Sequence, residues 1–260
     1  MKKILMCDPQ FFGVTYDINP WMSANIGQVD QKIATQQWTL LRDAISAVAD
    51  VEVMPGVEGL PDLVFTANAG IVRNNHAIVA KFSKPERSRE EVHFEKWFSE
   101  HKLITVQPMN SYEGEGDHLV DRLGRHWLGT GFRTNGKVAE ELTRILWVRM
   151  NVLELVDPRW YHLDTCFAPL PYGEVIWYPG AFSEDSQRVI RSAFRTRIEV
   201  TQEDASAFAC NLVALGNNIF IPKNTVASER LQGLGYKVKE FDLSEFMRAG
   251  GAAKCLTLYY

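Results

Sequence analysis

Four times along this chain a small polar cluster is followed by an apolar strand pattern, a turn and a second apolar strand pattern. The segments run from Phe65 to Phe82, Tyr112 to Phe132, Tyr161 to Phe182 and Ala209 to Pro222. Each predicts a hairpin, with turns at Asn74-Asn75, Leu123-Gly124, Tyr172-Gly173 and Asn217-Asn218. A fifth polar position, Cys255, precedes the run Leu256 to Tyr260. With Asn68, Asp117, Asp164, Asn211 and Cys255 as markers, the intervals are 49, 47, 47 and 44 residues. No motif is literally repeated, yet spacing this regular signals a solenoid, a propeller or an array.

Helical patterns lie between the hairpins. Gln28 to Ala49 places Ile33, Trp38, Leu41, Ile45 and Val48 at roughly 3.6-residue spacing. Shorter candidates cover Ser88 to His101, Lys137 to Leu146, Glu184 to Phe194, Thr225 to Leu234 and Leu243 to Ala249. Extended runs such as Lys3 to Met6, Leu103 to Val106, Val152 to Val156, Arg197 to Val200 and Tyr236 to Phe241 flank them. Each unit thus reads as two strands, a helix and another strand. A polar cluster at the start of every first hairpin strand suits a ring, because five clusters then converge on one axis and one central pocket. With no linker or low-complexity tract interrupting the repeat, residues 1–260 are expected to form a single α/β domain.

Composition removes several function classes. A net charge of −4 argues against nucleic acid and anionic membranes, both of which select clustered positive charge. Only four apolar residues precede Asp8 and Pro9, too few for a signal peptide, and no run approaches membrane-spanning length. The protein is expected to be cytoplasmic. Its four cysteines are widely spaced with no CxxC pair, so neither a zinc knuckle nor a disulfide framework is indicated. The histidines His76, His93, His101, His118 and His126 likewise lack a metal-ligand spacing, and no metal or cofactor is expected.

The remaining polar motifs carry chemistry. Cys255 follows Gly250-Gly251-Ala252-Ala253-Lys254, small residues that permit a tight bend, while Lys254 could favour a thiolate. The alternative for Cys255 is a small buried apolar residue. His162 and Asp164 sit in a strand pattern, so both should point to one face, and a His beside a carboxylate can shuttle protons. The alternative there is a surface pair, or a metal site with Cys166. Tyr112-Glu113-Gly114-Glu115-Gly116-Asp117 sets three carboxylates among glycines; as something other than an acidic turn, it offers the planar geometry that a guanidinium matches. Phe65 supplies an aromatic face for a delocalised cation, and Asn68 supplies an amide. Arg87 and Arg133 could bind an α-carboxylate.

The set Phe-Thr-Ala-Asn-Ala-Gly at 65–70, Glu-Gly-x-Gly-Asp at 113–117, His-Leu-Asp at 162–164 and a cysteine after a Gly-rich run resembles the guanidine-modifying superfamily of arginine deiminases, amidinotransferases and dimethylarginine hydrolases. The resemblance covers essentially the whole chain in order. Asn-Pro-Trp-Met at 19–22 and the Thr-Ala-Asn-Ala-Gly motif are similar to the arginine dihydrolase branch. The resemblance implies a five-bladed, pseudo-symmetric α/β propeller (a pentein) with a central pocket. It implies Cys255 as nucleophile, His162 as general acid/base, and Glu113 and Asp164 as carboxylates gripping the guanidinium. Phe65 would pack on the substrate, and Asn19, Arg87 and Arg133 would hold its amino-acid end. Asn68 stands where deiminases carry aspartate.

These roles imply a hydrolase acting on the guanidinium of a small-molecule substrate, arginine or a relative of it, with no cofactor. Arginine dihydrolysis, yielding ornithine, two ammonia and carbon dioxide, is the reading that Asn68 favours. Deiminase, amidinotransferase and dimethylarginine hydrolase readings share the nucleophile and stay open. A non-catalytic binder would have no use for Cys255 and His162 together. Homo-oligomerisation is compatible with the sequence.

Overall fold

The structure is a computed structural model that describes residues 2–223 and 225–260; Met1 and Asn224 lie outside the described residues. Its strands form five three-stranded sheets of one design. In each, the second strand of a hairpin is central, antiparallel to the first and parallel to a third strand reached through a helix. Four sheets follow the predicted units. They comprise Gly70–Arg73, His76–Val79 and Ile104–Val106; His118–Val120, His126–Thr130 and Met150–Glu154; Phe167–Pro169, Val175–Trp177 and Arg197–Glu199; and Val213–Leu215, Asn218–Pro222 and Lys237–Phe241. Asn218 already belongs to its strand, so the last hairpin turns at Gly216 and Asn217 rather than at Asn217 and Asn218.

The fifth sheet is assembled from both ends of the chain. Leu258–Tyr259 pairs antiparallel with Lys3–Cys7, which pairs in parallel with Asp50–Met54. The same topology therefore recurs with its first strand supplied from the C-terminus, which closes the ring.

Helices pack an apolar stripe against strands of their own sheet, as Glu91–Glu100, Val138–Leu146 and Ala227–Gly233 do, or of a neighbouring one, as Glu184–Ala193 does. Gln31–Ser46 is capped by the Asp30 side chain, which accepts from the backbone N–H of Lys32 and Ile33. Its buried face carries Ala34, Trp38, Leu41 and Ile45. Trp38, Leu41 and Ile45 are buried as expected, whereas Ile33 is exposed and Ala34 takes its place at the start of the stripe. Between the strands and helices of successive units lies aromatic-rich core, for example Trp127, Trp160, Phe167 and Trp177, all fully buried. Among the described residues no helix is long and apolar enough to cross a membrane.

The polar markers do converge, though not on strands. Each of four units enters its hairpin through a short helical turn: Thr66–Ala69, Gly114–Asp117, Leu163–Thr165 and the segment after Gln202–Ser206. His162 and Asp164 thus flank and occupy a single 3-10 turn, and the expected two-residue strand alternation is replaced by turn geometry. A circuit of hydrogen bonds joins the five units. Asn68 Nδ2 donates to the Glu113 carbonyl at 3.3 Å, and Leu163 N to Asp117 Oδ1 at 3.0 Å. Asn211 Nδ2 donates to the Asp164 carbonyl at 3.1 Å, and Cys255 N to Asn211 Oδ1 at 3.2 Å. Ala67 N then donates to the Cys255 carbonyl at 3.1 Å, returning to the first of these units.

Candidate active site

Cys255 ends a run of small residues because the backbone there has no room for larger ones. Gly250 adopts φ +86°, and a Cβ added to it would lie 2.8 Å from the Tyr161 hydroxyl. At Gly251 an added Cβ would lie 2.6 Å from the Phe65 ring. The run is therefore pressed between Phe65 and Tyr161, whose hydroxyl donates to the Gly250 carbonyl at 3.0 Å. Cys255 itself is buried, its thiol donating to Asp164 Oδ2 at 3.3 Å.

A narrow recess brings together Asn19, Phe65, Asn68, Arg87, Arg133, His162 and Cys255. Seven of the nine residues selected from sequence line it. Glu113 and Asp164 do not; each stands behind a residue that does. Glu113 Oε2 meets His162 Nε2 at 2.7 Å, and its Oε1 accepts from the Ser83 hydroxyl at 2.9 Å. Its side chain is fully enclosed, and its contacts are with His162, Ser83 and Arg133. Burial opposes its ionisation, but Arg133, the His162 hydrogen bond and Arg87 overcome that and hold the carboxyl well below the usual carboxylate range.

Asp164 keeps one buried oxygen, Oδ1, without a hydrogen-bond partner. Burial pushes its carboxyl up to about 7, against the pull of Lys254 and of its bonds to Cys255 and Asn211. The Cys255 thiol is raised too, by burial first and by the Asp164 charge second. Lys254 does not counter this at the thiol, as the sequence suggested it could. Its Nζ donates to Glu115 Oε2 at 2.9 Å and to the Thr257 carbonyl at 3.0 Å.

The other predicted residues are held in definite poses. Arg87 is clamped by Glu90 through bonds of 2.9 and 2.7 Å and donates to Asn68 Oδ1 at 2.7 Å. Asn68 thereby presents a fixed amide, its oxygen toward Arg87 and its nitrogen toward the Glu113 carbonyl. Arg133 donates to Glu113 Oε2 and to the Ile18 carbonyl, its guanidinium 4.5 Å from the Tyr161 ring centroid. Asn19 donates to the Ala249 carbonyl at 3.1 Å and accepts from Trp21 N, so its side chain pins the start of the loop that leads to Cys255.

Two residues escaped the sequence reading. Asp62 lines the recess with Oδ1 unpartnered, while its Oδ2 accepts from the Tyr16 hydroxyl at 2.9 Å. Its signal was a carboxylate inside the apolar run Leu60 to Phe65, where a solvated charge has no place. Asn211, noticed only as a repeat marker, donates to Cys255 Sγ at 3.1 Å. Asp62 on the recess wall and Asp164 behind Cys255 each keep a buried carboxylate oxygen without a partner, which suits a ligand rich in N–H donors.

A larger cavity of about 820 Å³ opens beside the hairpin turns, lined by Arg122, Gly124, Pro171 and Gly216 together with Lys2 and Tyr260. Asp164 reaches it from within, but Cys255 and His162 do not line it, so the thiol chemistry belongs to the smaller recess.

Comparison with known proteins places this geometry. The profile of the N,N dimethylarginine dimethylhydrolase family, in its eukaryotic form, matches residues 19–259. The bifunctional arginine dihydrolase/ornithine cyclodeaminase ArgZ of Synechocystis sp. is 43% identical over 98% of the chain, which spans only 37% of that protein's length. The N(G),N(G)-dimethylarginine dimethylaminohydrolase of Mycobacterium tuberculosis is 37% identical over 99% of the chain and 85% of its own. The crystal structure of the N-terminal domain of ArgZ bound to substrate, from cyanobacteria, superposes with a TM-score of 0.98 at 41% identity, covering 100% of this chain and 98% of that one. The five-unit ring is thus the pentein propeller expected from the sequence.

Proposed function

The chain belongs to the N,N dimethylarginine dimethylhydrolase family of guanidine-modifying enzymes, and from that premise we propose that residues 1–260 act as one catalytic domain that hydrolyses the guanidinium of L-arginine to ornithine, two ammonia and carbon dioxide. One observation carries the reading: the buried Cys255 thiol touches Asp164, which has an unsatisfied oxygen, and shares its recess with a His162 oriented by Glu113.

The chemistry follows from charge. An empty site disfavours the thiolate, because burial and Asp164 both oppose it. A guanidinium entering the recess beside Cys255 brings a positive charge that offsets the influence of the Asp164 carboxylate behind it, so the thiolate forms beside the carbon it attacks. His162 takes up the proton that the thiol loses, Sγ bonds to that carbon, and His162 gives the proton to the departing ammonia. Water deprotonated by His162 adds to the adduct and releases the sulfur, leaving citrulline. A second attack by Cys255 expels the second ammonia, and water cleaves the resulting thiocarbamate to a carbamate that separates into ornithine and carbon dioxide. Asp62 offers a further acceptor on the recess wall, and Phe65 an aromatic face.

Asn68 supports continuation past citrulline. An amide accepts a neutral ureido group, whereas an aspartate prefers the charged guanidinium. Replacing Asn68→Asp is expected to make citrulline accumulate while arginine is still consumed; continued ornithine formation without citrulline contradicts the assignment. Dimethylarginine hydrolysis is the second reading, motivated by the family profile and by the mycobacterial relative. Comparing kcat/KM on arginine and dimethylarginine separates the two.

A further inference from the structure

The proposed reaction leaves one need unmet. In the first attack the cationic guanidinium can draw out the thiolate, but in the second the substrate is a neutral urea and offers no such charge. Another group must stabilise sulfur's negative charge, and Lys254 is committed to Glu115. Only one side chain in the structure donates a hydrogen bond to Cys255 Sγ among the described residues, and it is the Asn211 amide, at 3.1 Å.

We infer that Asn211 is a catalytic residue, the permanent N–H donor to the Cys255 thiolate, and that the second half of the reaction depends on it more than the first. Asn211 is fully buried, and its orientation is over-determined. Its Oδ1 accepts from Ala252 N at 3.1 Å and from Cys255 N at 3.2 Å, and its Nδ2 also donates to the Asp164 carbonyl at 3.1 Å. With the oxygen saturated by two backbone N–H groups, the amide cannot flip without orphaning both, so nitrogen must face the sulfur. The donor is therefore fixed before substrate arrives and costs no reorganisation during reaction. Together with the Ala252 backbone N–H, its bond opposes the effect of burial and of Asp164 on the thiol.

Part of the inference, the dependence of the second half, rests on the proposed hydrolysis; the effect on sulfur does not, and the test reads the two separately. Alkylation of Cys255 by iodoacetamide is followed against pH in ligand-free wild type, Asn211→Ala and Asn211→Asp, with the three other cysteines replaced by alanine or serine in every protein and folding checked by circular dichroism. Asn211→Asp keeps an oxygen for the Ala252 and Cys255 amides but loses the N–H. The midpoint is expected to rise by about one unit or more in both variants, making alkylation about tenfold slower below it. During arginine turnover, both variants are expected to raise the ratio of citrulline to ornithine. If Asn211→Asp alkylates with the wild-type profile and only Asn211→Ala differs, the side chain merely anchors the loop and the inference is overturned. Shifted profiles with an unchanged product ratio overturn the claim about the second half. Shifted variant profiles beside a wild type that consumes no arginine refute the proposed hydrolysis and leave the thiolate donor standing.

Discussion

At the residue scale, acid–base state is set by enclosure. Asp164 is held up to about 7 chiefly by burial, so the free enzyme carries a proton there at mildly acidic pH. A carboxyl that must be ionised to receive a guanidinium loses function as pH falls through its raised value. The kcat/KM for arginine is therefore expected to fall about tenfold per pH unit below about 7, an acid limb belonging to the Asp164–Cys255 pair. Asp164→Asn should lower the rate and abolish that limb; a pH–rate profile retaining it would assign the titration elsewhere. Glu113→Gln removes the charge that orients His162 and should lower kcat by about a hundredfold or more, measured at saturating arginine. Residue types at the site were legible because chemistry restricts them: few side chains can serve as nucleophile or proton shuttle. Partnerships were not. Glu113 is 49 positions from His162, and Lys254 finds Glu115 across 139. Such pairings are created by ring closure, so neighbours in sequence gave Lys254 the wrong partner.

At the element scale, Asn68, Glu113, His162 and Asp164 stand on or beside short turns feeding hairpins, whereas Arg87 and Arg133 follow the second hairpin strands. The sequence revealed where these turns fall but not their geometry. The pattern around His162 resembles a strand, yet Asp157-Pro158 and the following aromatics fold into helical turns, and periodicity over so few residues cannot distinguish the two. The loop that leads to Cys255 is tightly packed at Gly250 and Gly251. Gly250→Ala places a methyl at positive φ against the Tyr161 hydroxyl and is expected to cost about 1–3 kcal/mol. Urea denaturation measures that cost, and arginine turnover should fall further than stability alone accounts for.

For the whole molecule, the regular spacing of five polar markers suited a ring, because a closed arrangement can bring all five together, and the family resemblance implied its five-bladed form. What spacing could not tell was which strand completes the fifth sheet. That sheet joins the two ends of the chain, with Leu5 opposite Leu258 and Cys255 three residues upstream of the closing strand. Closure and catalysis are thereby coupled. Leu258→Ala, at a fully buried position, should cost about 2–5 kcal/mol. Thermal unfolding followed beside turnover should show loss of activity at temperatures where the other four sheets still give a native circular-dichroism signal.

The claim that joins these scales is that one thiol acts twice on one guanidinium. Arginine labelled with ¹³C at the guanidino carbon, followed by mass analysis of the products over time, tests it directly. The account predicts unlabelled ornithine, labelled carbon dioxide and two ammonia for each arginine consumed, all abolished by Cys255→Ala. Labelled citrulline accumulating in step with one ammonia, or products unchanged by Cys255→Ala, would contradict it.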